Sequence, residues 1–310
     1  MLNEEVNRVL SICIPTRGRA EILMNTLTSI FESEVDQSLY EVVIYDSSNT
    51  DETELFIKSK FQQSNLIYIR GVNYGYLNLI EALKMGNGDY LKLHNDYSSF
   101  KLGSLEAIID EIKKATLTKP VLLFSNGTLD QKVQNFANFD SFLYTLSFYS
   151  TWSTIFGIWR SDFDLLNKRN VNSMFPHTSL LFEFINKDGY RIVNHPLFTN
   201  IEVGNKGGYN LFQVFAIVYL DMVKELLDRQ YIEFRTFEKI KRDLFYKFLV
   251  HWYSETKVLR NNYTFILTDI KKSIRTYYSN FDYNFLIFLS YLRSIFSIVK
   301  KTIKRLFNLK

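Results

Sequence analysis

The chain has 310 residues, 46% of them hydrophobic and 23% charged, which is the composition of an ordinary globular protein. That length admits one large α/β domain with an appendage, or two modest domains. A formal charge of +4 is too small to argue for nucleic-acid binding, and the lone cysteine, Cys13, excludes an internal disulfide.

In chain order, a short apolar strand from Val9 to Ile14 runs into the polar loop Pro15-Thr16-Arg17-Gly18-Arg19. Cys13 lies within that strand as a small core residue. A helix over Glu21 to Phe31 follows, then a second apolar strand, Val42 to Tyr45, which stops at Asp46 with Ser47, Ser48, Asn49 and Asp51 behind it. Asp51 stands where the N-cap of a helix over Glu52 to Phe61 belongs. Further strands read as Leu66 to Arg70, Tyr90 to Leu93 and Val121 to Phe124, separated by helices over Leu77 to Met85 and Leu102 to Lys114. This alternation predicts an α/β, doubly wound, mainly parallel sheet with helices on both faces. Ligand sites in such sheets lie beyond the carboxyl ends of the strands, where the polar clusters fall.

Between Gln131 and Asn205 the pattern loosens into an aromatic, Ser- and Asn-rich stretch, read as a substrate-covering half of the same domain. From Tyr209 onward the chain reads as almost wholly helical, with no proline after Pro196. The expected organisation is a catalytic domain over residues 1–208 and a helical C-terminal region over 209–310.

Arg17 and Arg19 bring two guanidinium forks suited to phosphate oxygens, with Gly18 permitting a tight backbone path. Neither GxGxxG nor a Walker-type loop occurs. Asp46, at a strand end, is placed to accept hydrogen bonds from a base or ribose. Arg70, before the Gly71-Val72-Asn73-Tyr74-Gly75 turn, either approaches the same ligand or is a surface arginine. At His94-Asn95-Asp96-Tyr97 one imidazole, one amide and one carboxylate converge. A divalent metal that bridges phosphates takes carboxylate oxygens, and Asp96 is the one carboxylate there. His94 is either a ligand or a satisfied polar residue.

Together these stretches resemble the family 2 glycosyltransferases of GT-A fold. The opening motif stands here as Ser11-Ile12-Cys13-Ile14-Pro15-Thr16-Arg17-Gly18-Arg19. The second stands as Val43-Ile44-Tyr45-Asp46-Ser47-Ser48-Asn49-Thr50-Asp51-Glu52-Thr53, and the third as Arg70-Gly71-Val72-Asn73-Tyr74-Gly75. Phe175-Pro176-His177 and the GNKGGYN stretch are similar to the branch that includes abequosyltransferases and capsule or O-antigen enzymes.

The resemblance implies transfer of a sugar from a nucleotide-sugar with inversion at the anomeric carbon. It implies a donor-binding set of Pro15, Thr16, Arg17, Arg19, Asp46, Arg70 and Asn95, with Thr16 and Asp46 on the base and ribose. The family's acidic metal motif falls on Asn95-Asp96-Tyr97, or on Asp96-Tyr97-Ser98 one residue later, and only Asp96 keeps a carboxylate. A Mg or Mn ion would therefore rest on Asp96, with Asn95, His94 or the arginines compensating for the missing acids. An inverting transfer also needs a general base. Asp162, Asp164 and His177 are the candidates, Asp162 first, because the short strand ending in Trp159 would present it at the sheet edge. Trp152, Trp159 and Tyr149 either stack on an acceptor sugar or fill the core.

Of the formal charge, +5 sits in the last eleven residues, at Lys300, Lys301, Lys304, Arg305 and Lys310, leaving about −1 for the remainder. Phe285, Phe288, Leu289, Leu292, Phe296, Val299, Ile303 and Phe307 recur at three- and four-residue steps just before and among these charges. That pattern fits an interfacial helix on an anionic membrane face, or else a helix packed on the domain with a solvated basic end. The opening MLNEEVNRVL carries two Glu and no apolar core region, so no secretory signal is expected. The expected location is cytoplasmic and peripheral on the inner face of the cell membrane. The expected partners are a nucleotide-sugar donor, a glycan or lipid-linked acceptor and the anionic membrane surface, with no nucleic acid. The expected function is assembly of a bacterial surface polysaccharide such as capsule or lipopolysaccharide. The alternatives are an inactive nucleotide-sugar-binding scaffold protein and a nucleotidyltransferase.

Overall fold

The computed structural model describes residues 8–166, 168, 171–201, 203 and 207–306, with side chains as far as residue 303. Phe307 and Lys310, the side chains of Lys304 and Arg305, and residues 204–206 of the GNKGGYN stretch lie outside the described residues. The chain divides into two compact units, residues 1–202 and 203–310.

The first unit is built on β1 (Leu10–Thr16), β2 (Tyr40–Asp46), β3 (Leu66–Arg70) and β4 (Tyr90–Leu93), which lie parallel in the order β3-β2-β1-β4. Sequences such as LSICI and YEVVIY are mostly apolar because helices cover both faces of the sheet, and their two polar residues, Ser11 and Glu41, are buried and bonded to each other. The crossovers are α1 (Ala20–Phe31), α2 (Glu52–Lys60) and α3 (Asn78–Met85). Leu23, Leu27 and Ile30 of α1 recur at helical spacing and are buried against Ile12, Ile14, Val42 and Ile44. Beyond β4 come β5 (Ser98–Phe100) and α4 (Ser104–Ala115), whose Leu105, Ile108 and Ile112 join the same core. Cys13 is buried in β1, and desolvation pushes its thiol upward.

Two features of this unit were not expected. Val121–Phe124 (β6) does not extend the main sheet. It forms a separate sheet, ordered β6-β9-β7, with β7 (Val133–Phe136) and β9 (Tyr190–Val193). The edge it would have used is taken by β8 (Gly157–Trp159), which follows α5 (Phe139–Leu146) and runs antiparallel to β4. Second, the stretch that looked irregular in sequence holds defined elements, including α6 (Arg160–Leu165), α7 (Pro176–Phe182) and β10 (Phe198–Asn200), the last paired with β5.

Lys92 of β4 is completely buried. Its ammonium donates to the carbonyls of Leu93 (3.1 Å) and Thr154 (2.7 Å) and lies 4.8 Å from the Phe198 ring centre. Burial lowers its pKa from 10.5 to about 7. Between those two values the unfolded chain binds more protons than the folded one, so this residue makes stability rise with pH by about 1.4 kcal/mol per unit. Lys92→Met should flatten that rise. Urea midpoints at several pH values between 7 and 10 test it; equal slopes in mutant and parent would show that Lys92 stays charged in the fold.

In the second unit, strands Gly207–Asn210 and Thr264–Ile266 pair, and helices occupy residues 211–228 and 234–258, Ile270–Arg275 and Asn280–Leu306. The C-terminal helix spans about 40 Å at 1.5 Å per residue. It turns its serines inward: Leu286, Ser290 and Ser294 are buried, Ser290 donates to the Val250 carbonyl (3.1 Å), and Ser294 bonds to Ser254 (2.7 Å). Phe288, Leu292, Ile295, Phe296, Ile298, Val299 and Ile303 face outward and are exposed. Among the described residues no helix is long and apolar enough to cross a membrane.

Candidate active site

The parallel register builds the site. Thr16 lies opposite Asp46, and Asp46 opposite Arg70. Cys13 lies opposite Leu93, so three residues further on Thr16 comes level with Asp96. The Thr16 hydroxyl donates to Asp96 Oδ2 at 2.8 Å. Arg19, at the start of α1, donates from Nη1 to Asp96 Oδ1 at 3.1 Å, and its guanidinium lies over the Tyr97 ring, 5.8 Å from the centre. Thr26 of α1 donates to the Asp96 carbonyl at 2.9 Å. Asp96 is thus held from three sides. Burial raises its pKa, while Arg19 and Thr16 pull it back down.

Asp46 is fully buried. Its Oδ1 accepts from the backbone N–H of Ser48 (2.8 Å) and from the Ser48 hydroxyl, and its Oδ2 accepts from the Tyr68 hydroxyl (2.7 Å). A carboxylate offers about four acceptor positions, so these three bonds leave one unused. Ser48 also accepts from Gly18 N at 2.7 Å, which ties the Arg17-Gly18-Arg19 loop to Asp46. Gly18 has φ +62°, a left-handed conformation that glycine adopts without strain. On the other side, Gly71 N donates to the Asp46 carbonyl at 2.8 Å, and a Cβ there would overlap the Tyr45 ring. Asn78, at the start of α3, donates to Ser47 Oγ (3.0 Å) and closes the glycine turn by accepting from Tyr74 N (2.8 Å).

Thr16, Asp46, Asp96 and Arg19 therefore converge, with Pro15 at the strand end beside them and Arg17 exposed on the same loop. Asn95 adjoins them, but its side chain is committed to Thr154 (3.0 Å) and Ser153 (3.1 Å) of the segment before β8. That segment is fixed in turn by Lys92. Arg70 sits at the same edge, yet its guanidinium turns away to Glu54 of α2 at 3.6 Å. His94 is no ligand. It is wedged between Phe100 and Phe198, its Nε2 bonds the Ser98 carbonyl, and burial lowers its pKa to about 3. Asp51 occupies the N-cap position of α2, but its side chain makes no capping bond.

The structure overturns the assignment of Asp162 as the base. Because β8 is antiparallel, its last residue, Trp159, pairs with Tyr90 at the start of β4, and Arg160 N bonds the Asp89 carbonyl. Asp162 thus lies at the edge opposite Thr16 and Asp96, where it forms an ion pair with Lys187 at 2.6 Å. Asp164 belongs to the same helix and pairs with Arg160. Trp159 is core, with its indole N–H on the Pro120 carbonyl. His177 differs: α7 is tied by Thr178 to the Ser150 carbonyl (2.9 Å), and the His177 ring lies 6.2 Å from that of Phe156, within the segment that reaches Asn95. Its ring nitrogens are buried and make no well-formed hydrogen bond among the described residues. Burial lowers its pKa to about 4, only partly offset by the Thr151 backbone, so the imidazole is neutral near pH 7.

A divalent metal does not fit this donor set. Among the described residues no group of three or more His, Cys, Asp or Glu could hold an ion. Both oxygens of Asp96 are engaged, one of them by a guanidinium. A dication bound there would sit beside the Arg19 guanidinium and be repelled by it.

A mainly parallel sheet with buried carboxylates at its strand ends, an arginine loop beside them and an antiparallel edge strand is an α/β arrangement of the GT-A type. The model of the family described as glycosyl transferase family 2 matches residues 11–188, more than half of the chain, and the chain belongs to that family. No curated protein sequence matches it. Among solved structures, S. aureus TarS 1-349 is similar at 17% identity and TM-score 0.54, over 79% of this chain and 74% of that one. The same protein in complex with UDP gives 17% identity and TM-score 0.56 with the same coverage. Against the longer S. aureus TarS chain the identity is 16% and the TM-score 0.50, and this chain spans only 40% of that one's length. At such identities the likeness is one of fold. By family and fold, then, the chain is a glycosyltransferase.

Proposed function

We propose that this glycosyltransferase moves a sugar, with inversion, from a nucleoside-diphosphate sugar to a glycan or lipid-linked acceptor in the synthesis of a bacterial surface polysaccharide. The observation that carries the reading is the convergence of Thr16, Arg19, Asp46 and Asp96 at the carboxyl ends of the parallel strands, inside the family-matching span. Asp46, with one acceptor position left, takes an N–H of the base or a ribose hydroxyl. The UDP bound in the TarS complex makes a uridine nucleotide the first one to try.

In the transfer, an acceptor hydroxyl oxygen bonds to the anomeric carbon as the bond from that carbon to the diphosphate oxygen breaks. The electron pair leaves with the diphosphate, and the hydroxyl proton passes to a base. His177 is the proposed base, supported by its neutral imidazole beside Phe156, in the segment that reaches Asn95. His177→Gln should lower kcat by about 10²–10⁴ with nucleotide affinity unchanged. Nucleoside diphosphate release, measured on a panel of nucleotide-sugars with and without acceptor extract, tests both points. Wild-type turnover in the mutant would return His177 to the core, and no release from any donor would sink the whole reading.

The outward apolar face of the C-terminal helix, followed by Lys300 and Lys301, supports peripheral binding to an anionic membrane. A helix that packs its serines and exposes phenylalanine and isoleucine gains little from water on that face. Such an anchor keeps the enzyme at the surface where a lipid-linked acceptor resides.

A further inference from the structure

We infer that Arg19, seconded by Arg17, is the resident counter-charge for the leaving diphosphate in this chain and takes the place of a divalent cation. The inference rests on the nucleotide-sugar reading above, and it concerns how that site handles charge.

Breaking the bond between sugar and diphosphate leaves negative charge on the phosphate oxygens, which some positive group must stabilise. The acidic stretch that would hold a metal keeps one carboxylate. Asp96 Oδ2 accepts from Thr16, Oδ1 from Arg19, and its carbonyl from Thr26. An incoming cation would have to approach it beside the Arg19 guanidinium, which repels it. The neighbours offer no substitute: His94 is turned into an aromatic pocket, and both ends of the Asn95 amide are committed to Ser153 and Thr154.

Arg19, by contrast, is built in. Asp96 grips one nitrogen of its guanidinium and the Tyr97 ring supports it, while a third of the side chain stays open to solvent. A guanidinium carries five N–H donors, so those not aimed at Asp96 are available to phosphate oxygens. Arg17 is exposed on the same loop and, among the described residues, makes no ion pair. Two arginines and Asp96 together carry a net charge of +1, the same as one divalent ion on a lone carboxylate. The site thus holds the charge that a metal would supply, already positioned before the donor arrives.

The test is calorimetric titration of the full chain with UDP, GDP, CDP and dTDP, each in EDTA and in millimolar Mg²⁺ or Mn²⁺. The expected result is that the best binder keeps its Kd within about twofold across all three conditions. Arg19→Gln should weaken that binding about tenfold or more in EDTA and in metal alike, and Arg19→Lys should recover part of it. Binding that disappears in EDTA and returns with Mg²⁺ would overturn the inference and leave the nucleotide reading standing. Failure of all four nucleotides in every condition would overturn both. The comparison of EDTA with metal uses the unaltered chain, so its outcome does not depend on whether either variant folds.

Discussion

Asp96→Asn should lower sugar transfer by about two orders of magnitude, the loss that follows when a reacting group is misplaced by about 1 Å. The asparagine fits the same space and keeps an acceptor for the Thr16 hydroxyl. It removes the charge that holds Arg19, so the guanidinium loses its fixed position while the fold, braced by Thr26 on the backbone carbonyl, persists. Steady-state release of nucleoside diphosphate, with a thermal melt as control for folding, reads the effect. Full turnover in a folded mutant would remove Asp96 and its ion pair from the mechanism.

The second large effect concerns the C-terminal helix. Replacing Phe288, Ile295, Phe296 and Val299 together by serine should abolish sedimentation with anionic vesicles while leaving the fold intact, because all four are exposed. Burying side chains of this size in an apolar phase contributes roughly 1.5–3 kcal/mol each, so losing four should lower the partition coefficient by more than about two orders of magnitude. Replacing residues is a cleaner test than truncation before the helix, since Leu286, Ser290 and Ser294 are buried in the second unit. Vesicle binding that survives the four serines, or that ignores salt in the parent, would contradict the membrane anchor.

Much of the donor side of the site was legible because strand ends are legible. An apolar run that stops at Thr16, at Asp46 or just before Asp96 marks the edge of a parallel sheet, and register then brings those three together. Strand direction was not legible. The run ending in Trp159 looks the same whether it joins the sheet parallel or antiparallel, and the antiparallel pairing with Tyr90 carries Asp162 to the wrong edge. Arg70 stayed open between ligand and surface for a related reason, since its partner Glu54 comes from a helix whose rotation no local pattern fixes. The supporting residues Tyr68, Asn78 and Lys92 were invisible as site elements, for each acts through a bond to a residue far along the chain. A fully apolar strand interrupted by one lysine was the signal available for Lys92. In the C-terminal helix the three- and four-residue periodicity defines an apolar stripe correctly but does not say whether it faces in or out. The buried serines, bonded to Val250 and Ser254, decide that it faces out.

The central claim is that the strand-end site of Thr16, Asp46 and Asp96 binds the nucleotide of a sugar donor, and titration of UDP and the other nucleoside diphosphates into the parent and into Asp46→Ala tests it most directly. Asp46 is fully buried with one acceptor position left, so its loss should weaken nucleotide binding by about 1–3 kcal/mol, or roughly 5- to 150-fold in Kd, with the thermal melt still cooperative. Equal affinity for the nucleotide in a folded Asp46→Ala chain would contradict the account.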